Sequence, residues 1–363
     1  MKNTFGNNVQ ITLFGESHGE AIGAVIDGLA AGIEVDPEFI GSQLSLRRPV
    51  GKISTPRVET DEFKILSGVY EGRTTGTSIC IVIPNQNTHS ADYGEIRYKM
   101  RPSHADFTAN RKYHGFEDFR GGGHFSGRIT AALVSAGAIC IDALRKKGIL
   151  IGTHISSVAD IKDRSFENLT EDITAVNNME FAVLDPGKAE KMQERIIEAR
   201  KQGDSVGGVL ETAVLGLPTG IGEPWFDSVE GMLSHGLFSI PAVKGVEFGA
   251  GFGITEMKGS KANDSFKYEN GKIVTETNNN GGINGGITNG MPIIFRVAVK
   301  PTPTISKEQN TVDIKNNVNT VLKAVGRHDP CIVHRARVVV DSITAIVLCD
   351  LMSGAFGTDW MAK

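Results

Sequence analysis

The chain has 363 residues, a formal net charge of -4 at pH 7, 40% hydrophobic and 22% charged residues, and 43 glycines. That balance argues against bulk binding of nucleic acid or of an acidic membrane surface, which takes a basic excess, and the length allows a large buried core. Cys80, Cys140, Cys331 and Cys349 have no paired spacing and the N-terminus lacks the apolar core of a signal peptide, so the chain reads as a cytoplasmic protein with core thiols, without a disulfide frame or a zinc site.

Residues 9–14 alternate as a strand and 21–27 as a second, with Gly15-Glu16-Ser17-His18-Gly19 between them, which puts His18 at a hairpin bend. Asp36-Pro37-Glu38 supplies an N-cap, a first-position proline and a first-turn acid for a helix that ends at Arg47-Arg48-Pro49. Its two guanidiniums suit the helix macrodipole or an anion equally. Residues 50–57, with Gly51, Lys52 and Pro56, read as a basic loop able to close over an anionic substrate. Residues 62–70 and 77–84 read as strands, and 86–98 as a polar connection.

Residues 101–130 gather four arginines, one lysine and three of the nine histidines against three acids. Guanidinium forks bind phosphate or carboxylate and imidazole carries a proton near neutrality, so this stretch reads either as a solvated surface loop or as a site for proton-coupled chemistry on a small anion. Gly121-Gly122-Gly123 leads toward a long apolar helix whose first N–H groups would favour an anion. From 127 the pattern is apolar nearly all round until Arg145-Lys146-Lys147-Gly148, a buried central helix with Arg128 at its mouth. The apolar run 129–141 is shorter than a membrane span.

Residues 149–158 read as a strand, and Asp185-Pro186 opens an amphipathic helix that closes near Gly203. Residues 205–221 echo 21–33, each a glycine-bearing strand that leads into Gly-Leu-x-x-Gly-Ile, which suggests two related halves. Gly249-Ala250-Gly251-Phe252-Gly253 is a lone glycine spacing and weak evidence for a nucleotide site. Asn270-Gly271 between alternating residues predicts a hairpin. Residues 278–290 read as flexible or as N–H donors to a phosphate. Residues 291–299 form a strand that delivers Lys300-Pro301-Thr302-Pro303-Thr304, a ligand-binding corner. Arg327-His328-Asp329 before Pro330 is a charged turn or a site, and 335–352 is helical. Metalloprotease, P-loop and α/β-hydrolase motifs do not occur.

Taken together, Gly15-Glu16-Ser17-His18-Gly19, Arg101-Pro102-Ser103-His104-Ala105-Asp106, Phe119-Arg120-Gly121-Gly122-Gly123, Lys300-Pro301-Thr302 and Arg327-His328-Asp329-Pro330-Cys331 resemble the chorismate synthase family, in the family's order. The resemblance implies an α+β fold, a β-α-β sandwich of two antiparallel sheets packed between helices with pseudo-twofold related halves, as one domain over 1–363. It implies a carbon–oxygen lyase that converts 5-enolpyruvylshikimate 3-phosphate into chorismate and phosphate with reduced FMN, assembled as a homotetramer. By that resemblance His18 looks like the imidazole that protonates the reduced flavin, His104 the one that assists the departing phosphate, and Asp329 the carboxylate that tunes proton transfer at the flavin's N5. Arg47, Lys52, Arg101, Arg128 and Arg327 match substrate-holding positions, Arg47 having also been assigned to NADPH as reductant. His124, Phe125, Ser126, Pro241, Ala242, Gly285, Lys300, Pro301, Thr302, Pro303, Thr304 and Arg327 match flavin-binding segments. Lys52, His124, Ile129, Val338 and Asp341 depart from the family's usual residues. Two other readings are a flavin reductase or oxidoreductase on the same pocket, and a binding module that stacks ligands or single-stranded RNA on Phe107, Tyr113, Phe116 and Phe119.

Overall fold

The computed structural model describes residues 2–49, 51–55, 60–86, 97–324 and 329–362. The first sheet is built by β1 (Thr4–Phe5), β2 (Gln10–Gly15), β3 (Ala21–Asp27), β4 (Lys64–Ser67) and, after the hairpin β5 (Val69–Tyr70) and β6 (Arg73–Thr74), β7 (Ile79–Pro84). Its strands are antiparallel in the order β1-β2-β3-β7-β4. The second sheet comprises β8 (Leu150–Val158), β9 (Ile161–Lys162), β10 (Gly208–Leu215), β11 (Val243–Phe248) and β16 (Ile293–Val299), in the order β11-β16-β10-β8-β9. Between β11 and β16 lie two hairpins, β12 (Phe266–Glu269) with β13 (Lys272–Thr275) and β14 (Ile283–Asn284) with β15 (Ile287–Thr288). Asn270 and Gly271 turn the first of these at φ of 51° and 78°, as an Asn-Gly hairpin requires. A last hairpin, β17 (Glu308–Asp313) and β18 (Val318–Lys323), stands apart from both sheets.

The two sequence echoes occupy the same place in their sheets, since β3 and β10 are each the central strand of five. The Gly-Leu-x-x-Gly-Ile segments that follow them also close in the same way. Thr74 Oγ1 accepts from Ile33 N at 2.9 Å and donates to Ala30 O at 2.6 Å, while Thr288 Oγ1 accepts from Ile221 N at 2.9 Å and donates to Pro218 O at 2.7 Å. Gly28 and Gly216 share φ near +85°, at 85° and 84°. The related halves thus share a buried threonine lock as well as a strand.

Helices form the middle of the sandwich. Asp36 caps α1 (Pro37–Leu46), accepting from Glu38 N at 2.8 Å and Phe39 N at 3.1 Å. After α2 (Asp106–Lys112), α3 (Thr130–Lys146) packs on β3 and β7, while α8 (Val333–Phe356) packs on α3 and on β8 and β10. The core layering is therefore the β-α-β sandwich of an α+β fold, with α3 and α8 between the two antiparallel sheets. The second sheet also carries helices on its far face. There α4 (Leu169–Asn177) and α5 (Pro186–Lys201) cover β8, so that Thr153 donates to Asp341 of α8 at 2.6 Å while Gly152 lies against Ile173 of α4. The same far face buries His154 between Asp163 and Glu211, at 3.1 and 3.0 Å. Burial opposes its charge, but the two carboxylates outweigh burial and raise its pKa. The remaining helices are α6 (Val229–Ser239), packed on α8, and the single turn α7 (Gly259–Ala262).

The segments 127–146 and 333–356 are, by length and composition, long and apolar enough to cross a membrane, so the apolar run extends further than 129–141 suggested. In each, 83% of the apolar window is buried inside the fold, because the middle layer is covered by a sheet on each side. The two core helices meet at Gly137, where an added Cβ would lie 2.3 Å from Ser342 Cβ and 2.6 Å from its Cα. Gly137→Ala is expected to lower stability by about 1–3 kcal/mol through overpacking. Gly41→Ala, on α1 with nothing within 4 Å of the added carbon, is expected to raise it by about 0.4–1 kcal/mol. Denaturant midpoints of the two variants check both signs.

Candidate active site

A cavity of about 1130 Å³ opens where the two halves meet. The first half contributes the β2–β3 bend and residues 101–130; the second contributes the end of α6, the corner after β16, the tip of β18, Asp329 and the start of α8. The wall has a polar side of His18, Arg101, His104, His124, Lys300 and Asp329, and an apolar side that includes Ile11, Leu133, Phe238 and Ile343.

The three glycines are the seat of two imidazoles. Gly121, Gly122 and Gly123 all have positive φ and lie in a tight turn before the central helix. A Cβ on Gly121 would fall 2.2 Å from His18 Cε1, one on Gly122 would fall 3.3 Å from His104 Cε1, and one on Gly123 would fall 2.0 Å from Asp118 O. Each glycine therefore makes room for a different neighbour, and the bend carrying His18 is pinned by Ser17 N donating to Gly123 O at 3.1 Å. Ser126 caps the next turn through Arg128 N, and Thr130 then opens α3.

His104 Nδ1 stands 2.7 Å from Asp106 Oδ1. A carboxylate only accepts, so Nδ1 carries the proton and Nε2 is the atom presented toward Gly122. Burial works against the Asp106 charge, but the hydrogen bonds from His104 and Arg101 outweigh it and hold this carboxyl well below the usual carboxylate range. Arg101 gives Asp106 a two-pronged grip, Nε to Oδ2 at 2.8 Å and a terminal nitrogen to Oδ1 at 2.7 Å. It therefore lines the cavity with its fork already engaged. Lys300 Nζ donates to Ser103 O at 2.7 Å and so ties the corner after β16 to the loop bearing His104. His124 Nδ1 donates to Gly15 O at 2.8 Å.

The structure divides the residues expected from sequence. His18, Arg101, His104, His124, Phe125, Ser126, Pro241, Ala242, Lys300, Thr302, Pro303, Thr304 and Asp329 line one cavity. Arg47 and Arg128 do not line it; both are buried and converge on Asp61, Arg47 at 3.3 Å and Arg128 through a direct ion pair. Burial pushes Arg47 down to about 10, against the pull of Asp61 and with Arg335 and Arg128 adding to the fall. Lys52 is exposed and outside the cavity, with its carbonyl accepting from Arg200 at 2.7 Å. Gly285 sits in the β14–β15 turn and Pro301 behind the corner, neither on the cavity wall. Arg327 lies outside the described residues, as does part of the basic loop 50–57.

The segment 278–290 is ordered by side chains. Asp264 accepts from Asn279 N at 2.7 Å and Asn280 N at 2.9 Å, so these donors are engaged within the protein. In the 249–253 loop, Phe252 N donates to Glu247 at 3.0 Å. The aromatic residues of 107–119 face different ways: Phe119 lies under Arg97, Phe107 under Arg111, Tyr113 edge-on to Phe125, and Phe116 is 92% exposed. They form no common stacking platform. Sequence reasoning assigned no role to Asp61, Arg335 or His235, the last lining the cavity edge-on to Phe5.

Two related halves closing on imidazoles, a lysine and a carboxylate define an enzyme that handles protons on a small anionic molecule. The family profile described as chorismate synthase matches residues 9–353. Chorismate synthase of Thermococcus kodakarensis is 45% identical over 345 residues, covering 95% of this chain and 96% of that protein. The enzyme of that name from Dehalococcoides mccartyi strain BAV1 is 47% identical over 353 residues, covering 97% and 96%. A crystal structure of chorismate synthase superimposes with a TM-score of 0.77 at 31% identity, covering 98% of this chain and 95% of that one. The chain belongs to the chorismate synthase family, whose members are lyases of the shikimate pathway that require a reduced flavin.

Proposed function

We propose that this single-domain protein converts 5-enolpyruvylshikimate 3-phosphate into chorismate and phosphate with reduced FMN, in the cytoplasm. The observation that carries the reading is the seating of His18 and His104 on adjacent glycines of one cavity wall. The residues present fit a flavin: the cavity is larger than one small metabolite needs, and Thr302 Oγ1 on its wall is buried with no hydrogen-bond partner among the described residues. Residues 124–126, Pro241, Ala242, Lys300 and Thr302 to Thr304 would hold it. When bound, the reduced flavin supplies an electron-rich ring that helps phosphate leave and takes the ring proton.

The protein's own part is charge, proton placement and orientation. His104, with Nδ1 fixed by Asp106, turns Nε2 into the cavity as the atom that assists the departing phosphate. His18, seated on Gly121, supplies a second imidazole, and Asp329 supplies a carboxylate to the same cavity. Arg101 and Lys300 add positive charge for the substrate's anionic groups, while Arg47 and Arg128 act from behind the wall through Asp61. The homotetramer that the family resemblance implies is tested directly by light scattering.

The test is anaerobic. Purified protein, dithionite-reduced FMN and 5-enolpyruvylshikimate 3-phosphate are combined, and chorismate absorbance and phosphate release are followed together. Stoichiometric products only with reduced flavin are expected; flavin binding without product overturns the reading. NADPH in place of dithionite, with and without substrate, tests the reductase activity.

A further inference from the structure

Arg47, just past α1, and Ser54 and Thr55 each send one group to a short stretch around the start of α8. Arg47 O accepts from Arg335 Nε at 2.8 Å, Ser54 Oγ pairs with His334 Nε2 at 2.7 Å, and Thr55 N donates to Asp329 Oδ1 at 2.7 Å. The other oxygen of Asp329 accepts from the Arg335 guanidinium. One planar cation therefore holds both the carboxylate on the cavity wall and a carbonyl at the C-terminal end of α1, where the last carbonyls lack helical partners.

This pairing is not a loose surface ion pair. The side chains of Arg335 and Asp329 are 16% and 12% exposed, and both carboxylate oxygens have a donor. Next to them Arg47 and Arg128 share the single Asp61. Among the described residues, three buried or half-buried guanidiniums thus face two carboxylates, and Arg47 lies behind cavity residues Gly127 and Thr130, to which it donates at 3.4 and 3.5 Å. Through Arg47 O, the C-terminal end of α1 meets Arg335. Arg335 is the direct link from there to Asp329.

We propose that Arg335 is a positioning residue that fixes Asp329 against the cavity and couples its orientation to the C-terminal end of α1. The proposal rests on the reading of Asp329 as a participant in the proposed reaction. Small misplacement of an acid or base is enough to cost turnover steeply, whereas substrate and flavin affinity depend on other groups.

A double-mutant cycle on the full-length enzyme tests this, using Arg335→Gln, Asp329→Asn and both together. Each variant is assayed for chorismate formation, for oxidised FMN binding by flavin fluorescence, and for thermal denaturation. Arg335→Gln is expected to lower kcat by about ten- to a hundredfold, with KM and flavin Kd within about threefold. The double variant is expected to lose no more kcat than Asp329→Asn alone, and Arg335→Lys to recover part of the loss. Turnover of Arg335→Gln within about twofold of wild type, or losses that multiply in the double variant, would overturn the proposal. If Arg335→Gln does not fold, Arg335→Lys in the Asp329→Asn background gives the same answer: unchanged kcat supports the coupling and a further drop refutes it. Wild-type protein that binds FMN but makes no chorismate overturns the proposed function, and the positioning role with it. That outcome is distinct from an active wild type with an indifferent Arg335→Gln.

Discussion

Replacing His104 by alanine is expected to lower turnover by about a hundredfold or more, the usual scale for a positioned acid or base, while the protein still folds. The fold survives because His104 belongs to a loop at the cavity edge and is only partly buried, and its loss leaves Asp106 with the two-pronged partner Arg101. The chemistry suffers because no other described side chain on that wall takes the place of His104 Nε2. Asp106→Asn separates two accounts. If Asp106 sets the tautomer, asparagine cannot enforce a proton on Nδ1, and kcat falls while flavin binding holds. Single-turnover chorismate formation for both variants is the measurement, and near wild-type rates for His104→Ala would remove the residue from the mechanism. Because the Asp106 carboxyl lies well below the usual carboxylate range, it stays ionised through the neutral region, so the dyad keeps its anion down to acidic pH.

Gly121→Ala is expected to reduce turnover on a similar scale without touching a reacting atom. The added carbon would sit 2.2 Å from His18 Cε1 and 2.3 Å from its Nδ1, and the imidazole must move to admit it. The backbone cost is small by comparison: φ is 59°, close to the left-handed helical region, where a non-glycine residue costs roughly 1–2 kcal/mol. Stability should therefore fall modestly while kcat falls about a hundredfold, which corresponds to about 2.7 kcal/mol of barrier. Gly122→Ala provides the contrast, since its added carbon meets His104 only at 3.3 Å. It should lose less turnover than Gly121→Ala, and equal losses in the two variants would mean that backbone strain, not His18, is responsible.

Much of this protein is local enough to be read from the chain. Asp36 and Asp185 cap the helices they were expected to cap, because a side-chain oxygen two or three residues from an N–H needs no tertiary partner. The apolar pattern from 127 gave a core helix, and Asn270-Gly271 a hairpin, for equally local reasons. Helix α6 was not anticipated: its two glycines weaken the helical signal, and it is held by packing on α8, where Gly236 lets Ile343 approach. The hairpin of β17 and β18 was also missed, although Thr311 bonded to Met100 O makes it the brace of the loop that leads to Arg101.

The amino-acid sequence by itself determined the family, the starts of α1 and α5, and the identity of the imidazoles and the carboxylate that line the cavity. These depend on motifs a few residues long. Only the tertiary structure decided which cations face the cavity. Arg47 and Arg128 look like Arg101 in sequence, yet Asp61 draws both behind the wall, and Arg335 reaches a carbonyl 288 positions away. Spacing along the chain cannot carry that information, because a buried charge goes to whichever opposite charge the packing of α1, α3 and α8 brings within reach of it.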